Sequence, residues 1–156
     1  MQRKPFVWTI EEGEGGILVV FSGDLDERCN LAEFPALRGV VTFDLAGVTR
    51  VTSGGVTRWI RLLRGLEGVT ELVFVRCSVP VVTQLNMVRG FQGQGVVRSF
   101  YAPYACDATG EEQDVLLTPD QIQDVSTAPP VSSDEGELTL NDLPRRYFAF
   151  LFNSRR

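Results

Sequence analysis

A chain of 156 residues with 44% hydrophobic and 22% charged residues can bury one domain-sized core, and its composition points away from the disordered and membrane classes. A formal net charge of −5 argues against general nucleic-acid binding by phosphate neutralisation. The chain has no histidine, which excludes Ser-His-Asp and Cys-His catalysis and removes the commonest metal ligand and neutral-pH proton shuttle.

In chain order, "PFVWTIE" (5–11) and "GGILVVFSG" (16–23) are β-rich runs joined by a Gly-rich link, the signature of an antiparallel hairpin. "DLDERCNLAEFPALRG" offers Asp24 or Asp26 as a helix cap with Leu31 and Phe34 at helical spacing, so a short helix or helical turn is expected there. "VVTFDL" (40–45) reads as a buried strand, and a helix is expected from Gly55 to Leu66. "ELVFV" (71–75) is the next strand. "CSVPVVTQLNMVRG" follows as a helix with Ser78 as N-cap, Pro80 in the first turn and Gly90 as its stop. "GVVRSFYA" (95–102) reads as one further strand. Alternating strands and helices after one hairpin imply an α/β fold: a mixed sheet with parallel crossovers and helices mainly on one face.

The strand-to-helix junction "VTFDLAGVTRVTSGGVTRWIRLLRGL" carries the chemistry of interest. Val56, Trp59, Ile60, Leu63 and Leu66 form a core-facing stripe, and Arg58, Arg61 and Arg64 fall on another side. Gly54 and Gly55 permit a sharp turn, and Ser53 stands where a helix begins, placed to cap free N–H groups.

This strand, serine-glycine turn and striped helix resemble a bacterial STAS domain, the fold of anti-sigma factor antagonists and of sulfate-transporter tails. The resemblance spans residues 5 to 101. It implies a non-enzymatic signalling module in which Ser53, at the position of the family's phosphorylated serine, is the phosphorylation candidate. Thr52, Ser53, Gly54, Gly55, Arg58 and Arg61 would form the surface for a protein partner: a kinase, a sigma-regulatory protein or an assembly protein. Two positions depart from the family motif: Thr52 stands where the family has Asp, and Gly54 where it has Ser or Thr. They favour an alternative, a constitutive adaptor or structural assembly protein that has lost phosphorylation.

Beyond residue 102 the chain turns acidic, with Pro, Ser, Thr and Gly marking turns, so residues 1–102 are expected as the STAS-like domain and 103–156 as an appendage. "CDATG" (106–110) and "SSDEG" (132–136) have the spacing of two zinc knuckles, but only Cys106 remains among the four ligand positions, the others being Thr109, Ser132 and Glu135. A degenerate zinc-ribbon-like pair of hairpins without metal is expected, packed through Val115, Leu116, Leu117, Leu138 and Leu140. "NDLPRRYFAFLFNSRR" closes the appendage with an expected helix, with Asp142 as cap, Pro144 in its first turn and an aromatic cluster that needs a surface.

Other chemistry is weaker. Asp24, Asp26, Glu27 and Glu33 are read as caps and dipole partners rather than acid/base groups. Cys77 precedes a helix start, where a thiol pKa can fall, though core packing is the plainer reading. Phe91, Tyr101 and Tyr104 lack a basic field and are expected beneath the appendage. Cys29, Cys77 and Cys106 make no closed disulfide framework, which suits a reducing compartment. With no apolar run near the roughly 20 residues of a membrane span and no leader-like start, a cytoplasmic protein without membrane insertion is expected. No catalytic residue, metal or cofactor is assigned, and homo-oligomerisation is left open.

Overall fold

Alternation of apolar and polar side chains carries the chain through a five-stranded sheet, seen in a computed structural model that describes residues 2–152. Strands β1 (Val7–Gly13) and β2 (Gly16–Leu25) form the antiparallel hairpin, with Gly13 opposite Gly16. A 3-10 turn at Leu31–Glu33 leads into β3 (Gly39–Val51), which pairs parallel with β2 and, on its other side, with β4 (Val69–Val75). β5 (Val96–Val97) completes the order β1-β2-β3-β4-β5. Helices α1 (Ser53–Arg64) and α2 (Val79–Met87) make successive crossovers in the same direction. Because parallel crossovers are right-handed, both helices cover one face of the sheet. The α/β class with a mixed sheet is as the sequence indicates.

The core of this layer is aromatic. Phe21, Phe43 and Phe74 stand on adjacent strands, and Trp59 of α1 lies against them at centroid distances of 5.5, 5.7 and 6.1 Å. Phe91 stacks on the far side of the indole at 5.6 Å, and its carbonyl accepts the indole N–H at 3.0 Å. A buried indole donor is thereby satisfied, and the loop after α2 is pinned to α1. Phe91 therefore belongs to the first core rather than lying beneath the C-terminal region.

The expected strand over 95–102 is two strands. Ser99 interrupts it: its hydroxyl accepts the Arg76 N–H at 2.7 Å and its carbonyl accepts the Cys77 N–H at 3.2 Å. The chain bends and enters a second, antiparallel sheet of β6 (Phe100–Cys106), β7 (Glu112–Leu117), β8 (Val131–Ser133) and β9 (Gly136–Leu140), in the order β7-β6-β9-β8. The sequence boundary at 102/103 thus falls within β6, and one continuous core runs through both sheets. Leu117, Leu138 and Leu140 pack inward as expected, while Leu116 points out to solvent, because β7 alternates its faces. α2 ends at Met87, before Gly90, with the Val88 N–H still bonded to the Gln84 carbonyl.

Two short helices, α3 (Pro144–Tyr147) and α4 (Ala149–Phe152), close the described chain. Their aromatic cluster packs within the same molecule: Phe100 meets Phe148 at 6.2 Å and Phe150 at 5.2 Å. The Asn86 side chain of α2 donates to the Tyr147 carbonyl at 2.9 Å and accepts from the Phe150 N–H at 2.8 Å. The Tyr147 hydroxyl donates to the Tyr101 carbonyl at 2.6 Å. Asp142 lies before α3, where its carboxylate accepts the Leu143 N–H at 2.6 Å and faces Arg146 at 3.2 Å. Residues 153–156 of the appendage lie outside the described residues.

Candidate functional site: the start of helix α1

The junction between β3 and α1 is built by three elements. The Thr52 N–H donates to the Leu25 carbonyl at 3.0 Å, joining the end of β3 to the end of β2. Gly55 then passes so close to this segment that a Cβ would lie 2.0 Å from the Leu25 carbonyl oxygen. At Gly54 a Cβ would lie 2.7 Å from the Glu27 Cβ and 2.9 Å from a Glu27 carboxylate oxygen. The paired glycines are thus required by close approach, since both have negative φ.

Thr52, not Ser53, caps the helix. Its hydroxyl accepts the Gly55 N–H at 3.3 Å and donates to the Glu27 carboxylate at 3.3 Å. Ser53 is the first helical residue, and it is exposed. Its carbonyl accepts the Thr57 hydroxyl at 3.3 Å, while its own hydroxyl has no hydrogen-bond partner among the described residues. The capping role expected of Ser53 therefore shifts by one residue, because Thr52 has the extended backbone of an N-cap (φ −105°, ψ 169°).

Arg58 is half-buried and donates to the Gly54 carbonyl at 3.2 Å, while Arg61 and Arg64 are exposed. Arg58 and Arg61 line one wall of a cleft of about 480 Å3 whose opposite wall is the segment 29–36. Its floor is apolar, with Leu31, Phe34, Leu62 and Leu66 among the lining residues. Among the described residues neither arginine forms an ion pair. Of the six expected surface residues, Ser53, Thr52, Gly54, Arg58 and Arg61 retain accessible surface, whereas Gly55 is buried and serves only to shape the junction.

The neighbouring carboxylates are structural. Asp26 is 1% exposed and accepts a bidentate bond from Arg3 at 2.7 and 2.9 Å, which holds its carboxyl down at about 2. Asp24 accepts the Thr49 hydroxyl at 2.6 Å and the Lys4 N–H at 3.0 Å, and these bonds hold it below the ordinary carboxylate range. Neither caps the 3-10 turn at Leu31–Glu33, whose N-cap is Asn30. Together they bind the N-terminal segment and β3 to the end of β2, which sets the floor under Glu27 and Gly54. Glu33 lies within that 3-10 turn and takes a hydrogen bond from the Asn30 amide.

Burial pushes the Cys77 thiol up, well above its ordinary value, so the helix start beside it does not activate it. The turns expected to be knuckle-like are brought together: the Cys106 thiol faces the Glu135 carbonyl at 3.9 Å, and the Asp107 N–H donates to the Glu137 carbonyl at 2.9 Å. Hydrogen bonds from the Thr109 hydroxyl and from the backbone at Thr109 and Ala108 lower the Cys106 thiol. Among the described residues no group of three or more Cys, Asp or Glu side chains is disposed to hold a metal ion, and no helix is long and apolar enough to cross a membrane. Tyr104 is buried in the second sheet with its hydroxyl on the Pro129 carbonyl at 2.8 Å, and Tyr101 is half-buried there.

Sequence reasoning missed two members of this site. Glu27 was legible only as one of a run of acids, yet its carboxylate stands at the helix start and accepts the Thr52 hydroxyl. The segment 29–36 was read as a short helix or helical turn with no part in a site, and it forms half the cleft. Compared with family models, with curated proteins and with solved structures, the chain matches none.

Proposed function

We propose that the protein is a non-enzymatic binding module of STAS type that docks a protein partner on the surface running from the Ser53 turn to the Arg58–Arg61 cleft. The observation that carries this reading is the unoccupied Ser53 hydroxyl. Thr52 does the capping, so Ser53 is exposed at a helix start without a structural task. A serine so placed is open to a kinase. Phosphate there would add about −1.5 to −2 charges, tolerated by the helix dipole but costly inside a desolvated interface. The unmodified surface binds a kinase, sigma-regulatory protein or assembly protein, and the phosphorylated one releases it.

One observation favours the constitutive adaptor as a second reading. The Glu27 carboxylate already lies against Thr52 and Gly54, so a phosphate on Ser53 would meet an existing negative charge. In that version the surface binds without being switched.

Capture of partners from native lysate with wild type, Ser53→Asp and Arg58→Glu/Arg61→Glu baits, compared by quantitative mass spectrometry, separates the readings. The switch predicts a partner lost from both variants. Retention by Ser53→Asp with loss from the arginine variant identifies the constitutive adaptor. A partner list identical for all three baits overturns both.

A further inference from the structure

Side chains along the first sheet alternate between its two faces, and only one face is covered. Phe21, Phe43 and Phe74 point beneath the helices, and β6 also leaves the sheet to pack against α2. The register places Leu18, Thr42, Val73 and Val96 side by side on the opposite face. One row along stand Val20, Asp44 and Val75. None of these aliphatic residues joins the core cluster beneath the helices; Val73, in mid-row, is 8% exposed, shielded on this face by its neighbours. Val7, Val40 and Val96, on the same face, are 52, 38 and 49% exposed. Scattered surface aliphatics need no explanation, but a contiguous sheet face of them marks an interaction surface.

We propose that this face seats a second copy of the chain, sheet against sheet, about a two-fold axis parallel to β3. β3 is the central strand, so the rotation lays β1 over β5 and β2 over β4 with the rows kept in line. Leu18 and Val20 of one copy then meet Val73 and Val75 of the other. At the margins, Glu11, which pairs with Leu18 in the hairpin, falls opposite Val96 of the second copy, one row from Arg98 and within reach of its long side chain. The Arg98 side chain is 61% exposed and lies on this face, because its guanidinium reaches Glu71 at 3.7 Å. Symmetry makes each contact twice. Asp44, close to the axis, is accompanied by Arg76 at 3.6 Å, so the two central carboxylates do not meet as bare charges.

Size and charge agree with this occupant. Five strands about 4.8 Å apart and four rows of side chains give a face roughly 25 Å on a side, on the order of 600 Å2 per copy. The two copies together bury about 1,200 Å2, above the roughly 1,000 Å2 that a specific interface needs. Glu11, Asp44 and Glu71 disfavour an anionic lipid surface here. The helices cover the opposite face, so the dimer leaves both Ser53 turns open, and its existence is independent of the function proposed above.

Sedimentation velocity and light scattering on the full chain test the inference. The expected wild-type species has twice the chain mass of 17.3 kDa. Val96→Asp, at an exposed position and so harmless to folding, and Glu11→Arg each raise the dimer dissociation constant by at least about tenfold. The exchanged pair Glu11→Arg/Arg98→Glu restores dimer formation lost in Glu11→Arg. A monomeric wild type throughout the concentration series overturns the proposal, as does a dimer indifferent to both Val96→Asp and the charge exchange. Circular dichroism and thermal melting verify that each variant is folded.

Discussion

The two sheets of this protein are held by different means. The first carries the aromatic centre of the shared core, in which three phenylalanines on neighbouring strands meet one tryptophan from α1. The second has shorter strands and no Lys or Arg anywhere between Arg98 and Arg145, and it borrows its aromatic packing from α3 and α4. Both are sheets with alternating faces, yet only the first could be expected to hold together from its own side chains. Burying apolar area is what offsets chain entropy, and the second sheet reaches that area only through residues that return to it from the end of the chain.

Breaking the stronger centre gives the largest effect. Trp59→Ala removes the ring that joins three strands and Phe91, and unfolding in urea should show a loss of about 4 kcal/mol. An unchanged midpoint would contradict the central place assigned to the indole. Next is Gly55→Ala, whose new Cβ would press on the Leu25 carbonyl oxygen at 2.0 Å. Such overpacking costs about 3 kcal/mol and should move the β2 end, visible as altered amide chemical shifts from Leu25 to Thr52.

The link between the regions is probed by Asn86→Ala. It strips partners from the Tyr147 carbonyl and the Phe150 N–H, a loss of about 2 kcal/mol. Hydrogen exchange should quicken in 100–152 while the strands around Phe43 stay protected. Equal loosening of both regions would show that the second sheet has no separate stability.

Smaller changes sharpen the site. Thr52→Ala should cost about 1 kcal/mol as a lost cap, whereas Ser53→Ala should leave stability unchanged; the reverse result would return the capping role to Ser53. Acid titration comes last, because the loss it produces appears only below about pH 5. Asp26 is held at about 2 in the fold, against about 3.9 in an unfolded chain. The stabilisation it brings is whole above about pH 5 and is lost as pH falls from about 4 through 2. Asp24, lowered in the same direction, adds to that loss. In Asp26→Asn the melting temperature should fall at neutral pH and depend less on pH across that window.

Much of the first region was legible residue by residue. The stripe through Val56, Trp59 and Leu63, the hairpin glycines and the Pro80 helix start follow from local periodicity and turn chemistry, which act over a few residues. The site was legible in part. That a helix begins near Ser53 follows from its glycines, but which hydroxyl caps it depends on where β3 ends, and that is set by pairing with β2. The cleft beside Arg58 and Arg61 was hidden, since its far wall comes from residues some twenty-five positions earlier.

From the sequence alone follow an α/β fold, a single hairpin before the crossovers, the absence of histidine chemistry and a serine-glycine turn before a striped helix. Tertiary structure alone decided that Ser99 breaks a run of strand-forming residues and that Asp24 and Asp26 are anchors rather than caps. It also decided that the aromatic end of the chain docks on α2 and β6. The physical reason is range: propensity and periodicity act between near neighbours, whereas a carboxylate, a hydroxyl or an exposed aromatic takes its role from whichever distant segment packing brings to it.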